Sequence, residues 1–329
     1  MPQTRLDTDR IRAARKVIDR IFLDTPLYCC EALEPVLGCA VSIKLETANP
    51  VRSFKARGTE VVANQVSIEG SGAVVCASAG NLGQALAWSG RRRGLDVTVV
   101  ASRFATAVKL ERIRALGARL ELVDGDHEVA RERAAAIARH DGIRLVEDSL
   151  DIETCVGAAT IGLELVDAAP SFDAVLIALG GGALATGIGH VVKALTPDIE
   201  VICIQPAGAP ALTLSWRQRR VVSTESINTI ADGVAGRHPI PAVLDDLLLV
   251  ADDAVLVREE SIIAAMKIFL QHAGLVVEPS AALGIAAIIE DRDRFAGRHI
   301  ATVVCDSNVD VDAYYQWVGA APSRQDQHR

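Results

Sequence analysis

Aromatic residues are scarce in this sequence: Phe, Trp and Tyr make up 4% of its 329 residues, although half of all residues are apolar. The apolar content therefore comes mainly from Ala, Val, Leu and Ile, a balance that favours buried parallel strands covered by Ala-rich helices. A chain of this length can build one large or two medium domains with cores of their own.

The sequence also lacks an excess of positive charge. Its formal net charge is -8, which argues against a nucleic-acid or anionic-membrane partner. The seven cysteines are odd in number, irregularly spaced and without zinc-knuckle pairs, so we expect reduced thiols in a cytoplasmic protein. Residues 4–16 are too rich in charge to be a signal peptide.

One uncharged run, residues 174–192, is long enough to meet the crude length criterion for a transmembrane helix. Five glycines interrupt it. A buried strand, a tight loop and a buried helix therefore explain this run better than a membrane span.

Strand and helix patterns alternate along the chain. Strands are predicted at 41–45, 73–77, 97–101, 120–123, 144–146, 174–179, 201–205 and 300–305. Helices are predicted at 9–21, 82–92, 108–116, 128–139, 184–195, 259–272 and 280–290, with a further helix starting near residue 53.

This alternation predicts an α/β protein with open, mostly parallel sheets and helices on both faces. The strands are too many for one compact sheet, so we expect two lobes. A large discontinuous domain would span 1–71 and 150–321, a small mobile domain 72–149, and a polar tail 322–329. Ligands in such folds bind at the carboxyl ends of strands.

The segment Ser-Phe-Lys-Ala-Arg-Gly at 53–58 places one lysine at the start of a predicted helix, with Ser53 as its N-cap. A lysine on an exposed helix is normally a solvated cation. Lys55 lies beside Phe54 and is followed by a small residue, an arginine and a glycine, a setting that suits a lysine whose pKa is lowered by partial burial. Its neutral amine could then form a Schiff base.

A first loop, Ser78-Ala79-Gly80-Asn81, follows a predicted strand and opens a helix. Backbone N–H groups at such a place converge on an anion, and a substrate carboxylate would fit. The alternative is an ordinary βα turn with Asn81 in the left-handed region.

A second loop has three consecutive glycines followed by Ala and Leu. Its backbone can wrap closely around a phosphate, which favours a small phosphorylated cofactor. It is neither a P-loop nor a G-x-G-x-x-G fingerprint, and a tight turn without a ligand is the alternative. The loop comprises Gly180, Gly181, Gly182, Ala183 and Leu184.

Two further elements are polar where a sheet edge is predicted. Cys305 heads the turn Cys-Asp-Ser-Asn at the end of the last strand, although a buried cysteine is usually core packing. Glu278 precedes a predicted helix, where a carboxylate is stabilised. A capping charge and a role in the site are both open for Glu278.

Together these segments resemble the serine/threonine dehydratase group of pyridoxal-phosphate enzymes, which have the tryptophan-synthase-β-like fold (fold type II). The motifs occur in the family's order, and the segment Thr-Ile-Ala-Asp-Gly-Val at 229–234 is also similar to the family. The resemblance covers about residues 8–318.

The resemblance implies pyridoxal 5′-phosphate as cofactor, held by Lys55 as a Schiff base, with Phe54 packed near its ring. Asn81 would bond the 3-hydroxyl oxygen, and Cys305 would face the pyridine nitrogen. Residues Gly180, Gly181, Gly182, Ala183 and Leu184 would cradle the phosphate. The substrate carboxylate would be bound by Ser78, Ala79, Gly80 and Asn81.

The implied reaction is loss of water from an L-3-hydroxyamino acid such as threonine or serine, giving a 2-oxo acid and ammonia. A thiol at Cys305 does not force the pyridine nitrogen to stay protonated, which makes the ring a weaker electron sink and favours β-elimination. The freed Lys55 amine would remove the α-proton. The cofactor would supply the electronics and the protein the orientation.

Four departures from the family pattern narrow this expectation. Ala79 replaces the second serine of the racemases, which favours an L-amino acid, and Leu82 leaves the side-chain preference open. Gln205 and Ala211 replace the carboxylates of divalent-metal members, so no such metal site is predicted. Arg52 would lie in solvent or reach an acidic substrate.

Three other functions stay open. They are β-replacement of the cysteine-synthase kind, dehydration of an acidic 3-hydroxyamino acid, and a non-catalytic binding protein on this fold. Cys305 argues weakly against β-replacement, because those enzymes tend to have serine there. The expected partners are a small amino-acid substrate and, since members of this fold are commonly dimers, a second copy of the chain.

Overall fold

The computed structural model describes residues 3–168 and 172–319. Within them, strands and helices alternate as the sequence predicts. The strands are β1 Leu27–Cys29, β2 Ala40–Leu45, β3 Ala73–Ala77, β4 Asp96–Ser102, β5 Arg119–Val123, β6 Arg144–Val146, β7 Ala174–Ala178, β8 Glu200–Pro206, β9 Asp253–Val257 and β10 His299–Val304.

The helices cover both faces of the sheets. They are α1 Thr8–Ala14, α2 Glu34–Leu37, α3 Lys55–Glu69, α4 Asn81–Arg93, α5 Ala107–Ala115, α6 His127–Asp141, α7 Ile152–Asp167, α8 Ala183–Leu195, α9 Ala211–Gln218, α10 Pro241–Val250, α11 Glu259–Ile268, α12 Leu283–Glu290, α13 Arg292–Phe295 and α14 Val311–Gly319.

The strands form two sheets. The larger has the order β1-β2-β10-β7-β8-β9 and is parallel except for the antiparallel edge strand β1. The smaller has the order β5-β4-β3-β6 and is parallel throughout. The predicted fold class, an α/β protein with mostly parallel sheets and helices on both faces, is confirmed.

The large core follows from the aliphatic composition. Strand β7 lies in the middle of the larger sheet, and every one of its residues is buried. Its side chains pack under α8 on one side and against α12 on the other. A run of Val, Leu, Ile and Ala fits a parallel strand that is covered on both faces.

Helix α7 was not predicted, although its polar residues Glu153, Thr160, Glu164 and Asp167 recur at helical spacing along one face. It packs between α3 and α8. A Cβ at Gly157 would lie 2.3 Å from the backbone oxygen of Arg57, and one at Gly162 would lie 2.9 Å from Cβ of Val191. Glycine at these positions therefore allows the close approach of three helices.

The helix predicted over 9–21 is wrong in its second half, since α1 ends at Ala14. Asp19 instead caps a short 3-10 turn, Arg20–Phe22, through the backbone N–H of Ile21. This turn places Phe22 edge-on to Trp88, with ring centroids 4.7 Å apart. Burial of an aromatic side chain thus outweighs helix continuation.

The smaller sheet and its helices lie within residues 73–146, inside the range predicted for the small domain. The domain boundaries and the mobility of that domain stay predictions, and the tail at 322–329 lies outside the described residues. Across residues 3–168 and 172–319, no helix combines the length and apolarity that crossing a membrane requires. The uncharged run forms β7, a glycine turn and α8.

Candidate active site

A cleft of about 900 Å³ lies where the carboxyl ends of strands from both sheets meet, the location expected for ligands in such folds. Its walls contain all but one of the residues that the sequence proposed for binding or catalysis. These are Phe54, Lys55, Ser78, Ala79, Gly80, Asn81, Gly180, Gly181, Gly182, Ala183, Leu184, Glu278 and Cys305. Arg52 is the exception: its side chain is exposed and does not line the cleft.

Lys55 is the first residue of α3, and Phe54 rather than the predicted Ser53 is the N-cap. Ser53 Oγ accepts a hydrogen bond from the Lys55 backbone N–H at 3.1 Å and donates to Asp306 Oδ1 at 2.5 Å. The helix start is therefore tied to the turn after β10. The Lys55 ammonium lies 4.6 Å from the centre of the Phe54 ring.

The lysine meets a carboxylate that the sequence analysis did not single out. Lys55 Nζ donates to Asp148 Oδ2 at 2.6 Å. Burial alone would lower the pKa of Lys55, but the charge and hydrogen bond of Asp148, with a smaller contribution from Asp306, raise it above its usual value. The predicted lowering is therefore wrong for this arrangement. Asp148 follows the predicted strand 144–146, so its position at a strand end was the available signal.

Asn81 is the first residue of α4 and has helical rather than left-handed backbone geometry. Its Nδ2 donates to Glu278 Oε1 at 3.0 Å, and its Oδ1 accepts from Asn308 Nδ2 at 2.8 Å. Asn308 in turn accepts from Arg112 at 2.6 Å. Asn308, the last residue of the polar turn that the sequence singled out, and Arg112, which it did not, thus hold the side chain of Asn81 in place.

The loop before α4 is shaped by its own contacts. Ser78 Oγ accepts from the backbone N–H of Gly80 at 3.2 Å. A Cβ at Gly83 would lie 2.1 Å from the backbone oxygen of Ser78, so glycine is required there. The N-terminus of α4, a 13-residue helix, opens on the cleft beside this loop, which suits a carboxylate.

Two neighbouring acids, Glu278 and Asp306, are buried at the cleft. Burial raises the pKa of the Glu278 carboxyl to about 7, and the nearby Asp306 adds to this rise. Burial also raises the pKa of Asp306, against the hydrogen bonds from Ser53 and Cys305. Both effects have one cause, since neighbouring carboxyl groups away from water resist ionisation.

The glycine loop leaves no room for side chains. A Cβ at Gly180 would lie 3.1 Å from the backbone oxygen of Gly233, and one at Gly181 would lie 2.9 Å from Ser149 Oγ. Gly182 has φ +108° and would place a Cβ 2.3 Å from Cγ1 of Val243. The loop ends at the N-terminus of α8, where Ala183 N–H donates to Ser149 Oγ at 2.9 Å.

Cys305 is buried at the end of β10, and its backbone oxygen accepts from Phe54 N–H at 2.9 Å. Burial, then Asp306, raises the pKa of its thiol well above the usual value. A neutral thiol therefore faces the cleft. Gln205 is also buried, with Oε1 accepting from the backbone N–H of Thr213 at 2.8 Å.

Comparison with known proteins shows the family to which this chain belongs. Residues 18–306 match the family described as pyridoxal-phosphate dependent enzyme. The chain therefore belongs to that family, and the predicted cofactor and the resemblance to fold type II enzymes are confirmed.

Two curated relatives and one solved structure are similar over nearly the whole chain. L-threonine ammonia-lyase of Thermotoga maritima is 31% identical over 303 residues, which are 92% of this chain and 75% of the relative. Phenylserine dehydratase of Ralstonia pickettii is 28% identical over 317 residues, with 95% and 96% covered. The processed form of threonine deaminase isoform 2 from Solanum lycopersicum has a TM-score of 0.89 at 27% identity, covering 98% of this chain and 96% of that one.

The cleft fits pyridoxal 5′-phosphate. It has a lysine amine, a glycine turn at a helix N-terminus that side chains would fill, and a neutral thiol, all in one space. A volume of about 900 Å³ lies within the usual range for cofactor and substrate sites.

Proposed function

We propose that this enzyme removes water from a neutral L-3-hydroxyamino acid and releases a 2-oxo acid and ammonia. The reaction class, a pyridoxal-phosphate-dependent lyase acting on a hydroxyamino acid, is confirmed by relatives that are a threonine ammonia-lyase and a phenylserine dehydratase. The observation that carries the proposal is the position of Lys55 in one cleft with the Asn81 loop and the glycine loop.

The proposed roles follow from the placement of each group. Lys55 Nζ would anchor the cofactor and, once freed by substrate, take the proton from the α-carbon. The amides at the N-terminus of α4 would hold the substrate carboxylate. When bound, the cofactor supplies an electron sink for the bond that is broken.

The remaining residues would bind and orient the cofactor. The amides of Gly180, Gly181 and Gly182 would hold the phosphate, and Asn81, fixed by Asn308, would align the ring. Cys305 would present a neutral thiol to the ring nitrogen. Its raised pKa supports this assignment, because a neutral partner leaves that nitrogen without a fixed proton.

The charges of the cleft support a neutral substrate side chain. Each lysine and arginine that lines it is paired with a carboxylate: Lys55 with Asp148, Lys109 with Asp232, Arg131 with Glu147, and Arg237 with Asp126. The exposed Arg52 does not reach this space. An acidic hydroxyamino acid would have to compete with the carboxylate already paired with each of these cations, whereas a neutral one leaves all four pairs intact.

A substrate panel tests the proposal. Purified holoenzyme should release 2-oxo acid and ammonia from at least one of L-threonine, L-serine and L-threo-3-phenylserine, and faster than from 3-hydroxyaspartate. The amino-acid products with and without an added thiol should be the same, because β-replacement would instead produce a thioether. Absence of 2-oxo acid from every member of the panel would contradict the proposal.

We further propose that the enzyme works as a homodimer in the cytoplasm. The dimer rests on what is common in this fold. All seven cysteines are unpaired, which supports a reducing compartment. Light scattering coupled to size-exclusion chromatography would give the mass, and a mass of one chain at micromolar concentration would refute the dimer.

A further inference from the structure

Asp148 is a carboxylate in contact with the reacting lysine, and the proposed roles of the cleft residues give it no part in the reaction itself. Its Oδ2 accepts from Lys55 Nζ at 2.6 Å. Among the side chains of residues 3–168 and 172–319, its Oδ1 is one of the few buried oxygens without a hydrogen-bond partner. A buried carboxylate oxygen left in this way needs an explanation beyond stability.

The backbone around Asp148 is held in one conformation. Ser149 is fully buried and has φ +66°, a left-handed geometry that is costly for serine. Its N–H donates to Thr154 Oγ1 at 2.9 Å, and its Oγ accepts from Ala183 N–H at 2.9 Å. These bonds attach the turn to the first turns of α7 and α8. Strained backbone with such fixation is typical of functional sites.

The titratable groups that face Lys55 Nζ come from two turns. Cys305 and Asp306 follow β10, and Asp148 follows β6. Cys305 is a neutral thiol, and the carboxyl of Asp306 receives the short hydrogen bond from Ser53. Asp148 is therefore the carboxylate that pairs directly with the lysine.

We propose that Asp148 is a positioning residue that holds the Lys55 amine in the cleft and sets the pH at which this amine loses its proton. This inference rests on the proposed role of Lys55. The neutral amine is the form that attacks a carbonyl and that accepts the α-proton. Asp148 thereby governs the fraction of Lys55 that is ready to react at a given pH.

A second effect of Asp148 must be separated from this one. A Cβ placed on Gly181 would lie 3.2 Å from Asp148 Oδ2, so the carboxylate also borders the proposed phosphate cradle. Removing its charge could strengthen phosphate binding without acting on Lys55. Pyridoxal, which lacks the phosphate, reports the effect on Lys55 alone.

The test measures labelling of Lys55 in the full-length protein stripped of cofactor. Pyridoxal and cyanoborohydride are added across a pH series, and mass spectrometry gives the rate of modification of the Lys55 peptide. In Asp148→Asn the midpoint of the rate against pH should fall by about one pH unit or more, because an opposite charge in contact shifts a pKa by about 1–3. Below the midpoint this means about tenfold faster labelling.

Matched variants complete the design. Glu147→Gln removes the neighbouring carboxylate, which pairs with Arg131 at 2.7 Å, and should leave the midpoint unchanged. Asp148→Glu keeps the charge and should keep the midpoint above that of Asp148→Asn. Circular dichroism checks folding, and Asp148→Ser repeats the test should the Asn variant fail to fold.

The outcomes separate the inference from the proposed function. An unchanged midpoint in Asp148→Asn, or a change seen with pyridoxal 5′-phosphate and absent with pyridoxal, would overturn the role assigned to Asp148. If Lys55 in the wild-type protein reacted with neither pyridoxal nor pyridoxal 5′-phosphate, the proposed function itself would be contradicted.

Discussion

Asn81 and Glu278 are hydrogen-bonded across the cleft, with Asn81 Nδ2 donating to Glu278 Oε1 at 3.0 Å. Asn81 begins the helix after β3 of the smaller sheet, and Glu278 precedes the turn Pro279–Ala282 beside the larger sheet. The same Oε1 accepts from the backbone N–H of Asn308 at 2.7 Å. The carboxyl group of Glu278 therefore connects the helix that follows β3 of the smaller sheet with the turn that follows β10 of the larger sheet.

Glu278 should make stability fall as the pH rises. Burial raises its pKa from 4.5 to about 7, so between these values the unfolded chain has lost the proton that the folded chain still binds. In the cofactor-free protein, this stabilisation is complete below pH 4.5 and is lost by pH 7, by about 3 kcal/mol. Glu278→Gln keeps the acceptor oxygen and should abolish that part of the decrease, as urea denaturation at a series of pH values would show.

The control for this prediction is Glu111→Gln, which changes an exposed glutamate on α5. Its stability should follow the wild-type pH dependence. If Glu278→Gln also followed the wild-type curve, the buried acid would not be the source of the effect.

Lys55→Ala should abolish the visible absorbance that the cofactor shows in its Schiff base with the protein. Turnover should fall by about 10²- to 10⁴-fold or more, because loss of a general base alone costs that much. Lys16→Ala, which removes an exposed lysine, should change neither quantity. A visible Schiff-base band that persisted in Lys55→Ala would assign the cofactor to another lysine.

Gly182→Ala should weaken both folding and cofactor binding. Its φ of +108° and the 2.3 Å approach to Val243 leave no place for a methyl group, which we expect to cost about 1–3 kcal/mol of unfolding free energy. Thermal or urea unfolding and titration with pyridoxal 5′-phosphate would measure the two effects. Gly319→Ala, where a Cβ would meet nothing within 4 Å, is the matched change and should be close to neutral.

Ala79→Ser should introduce racemisation. Ala79 lines the cleft where, by the family resemblance, racemases carry a second serine, and a hydroxyl there would supply an acid/base group in addition to Lys55. A positioned proton donor contributes about 10²-fold or more, so chiral chromatography of unreacted L-serine should detect the D-enantiomer with the Ser variant and not with wild type. Ala79→Gly supplies space without a hydroxyl, and equal racemisation by that variant would contradict the explanation.

The candidate residues lie in one cleft because their motifs stand at the ends of parallel strands. The glycine loop and Cys305 follow β7 and β10, two neighbouring strands of the larger sheet, and the ends of such strands meet at one edge of the sheet, so these two could be predicted as neighbours. The Asn81 loop follows β3 of the smaller sheet, and its place beside them is decided by how the two sheets pack.

The failures have physical causes as well. Helix α7 was missed although it has a polar face, and that face is buried as well, since Glu164 pairs with the buried Arg57. The second half of the helix predicted at 9–21 is replaced by a turn that buries Phe22 against Trp88. The predicted lowering of the Lys55 pKa considered burial alone and left out the charge of Asp148.

The sequence by itself determined the fold class and the cofactor, and it led us to propose Lys55 as the lysine that would hold the cofactor, because these depend on local pattern and on ordered motifs. Only the tertiary structure decided the electrostatics of that lysine. Asp148 comes from a turn 93 residues away, and the protonation of Lys55, Glu278 and Cys305 depends on which buried charges are in contact. Distances between side chains set those interactions, and the order of residues along the chain does not specify them.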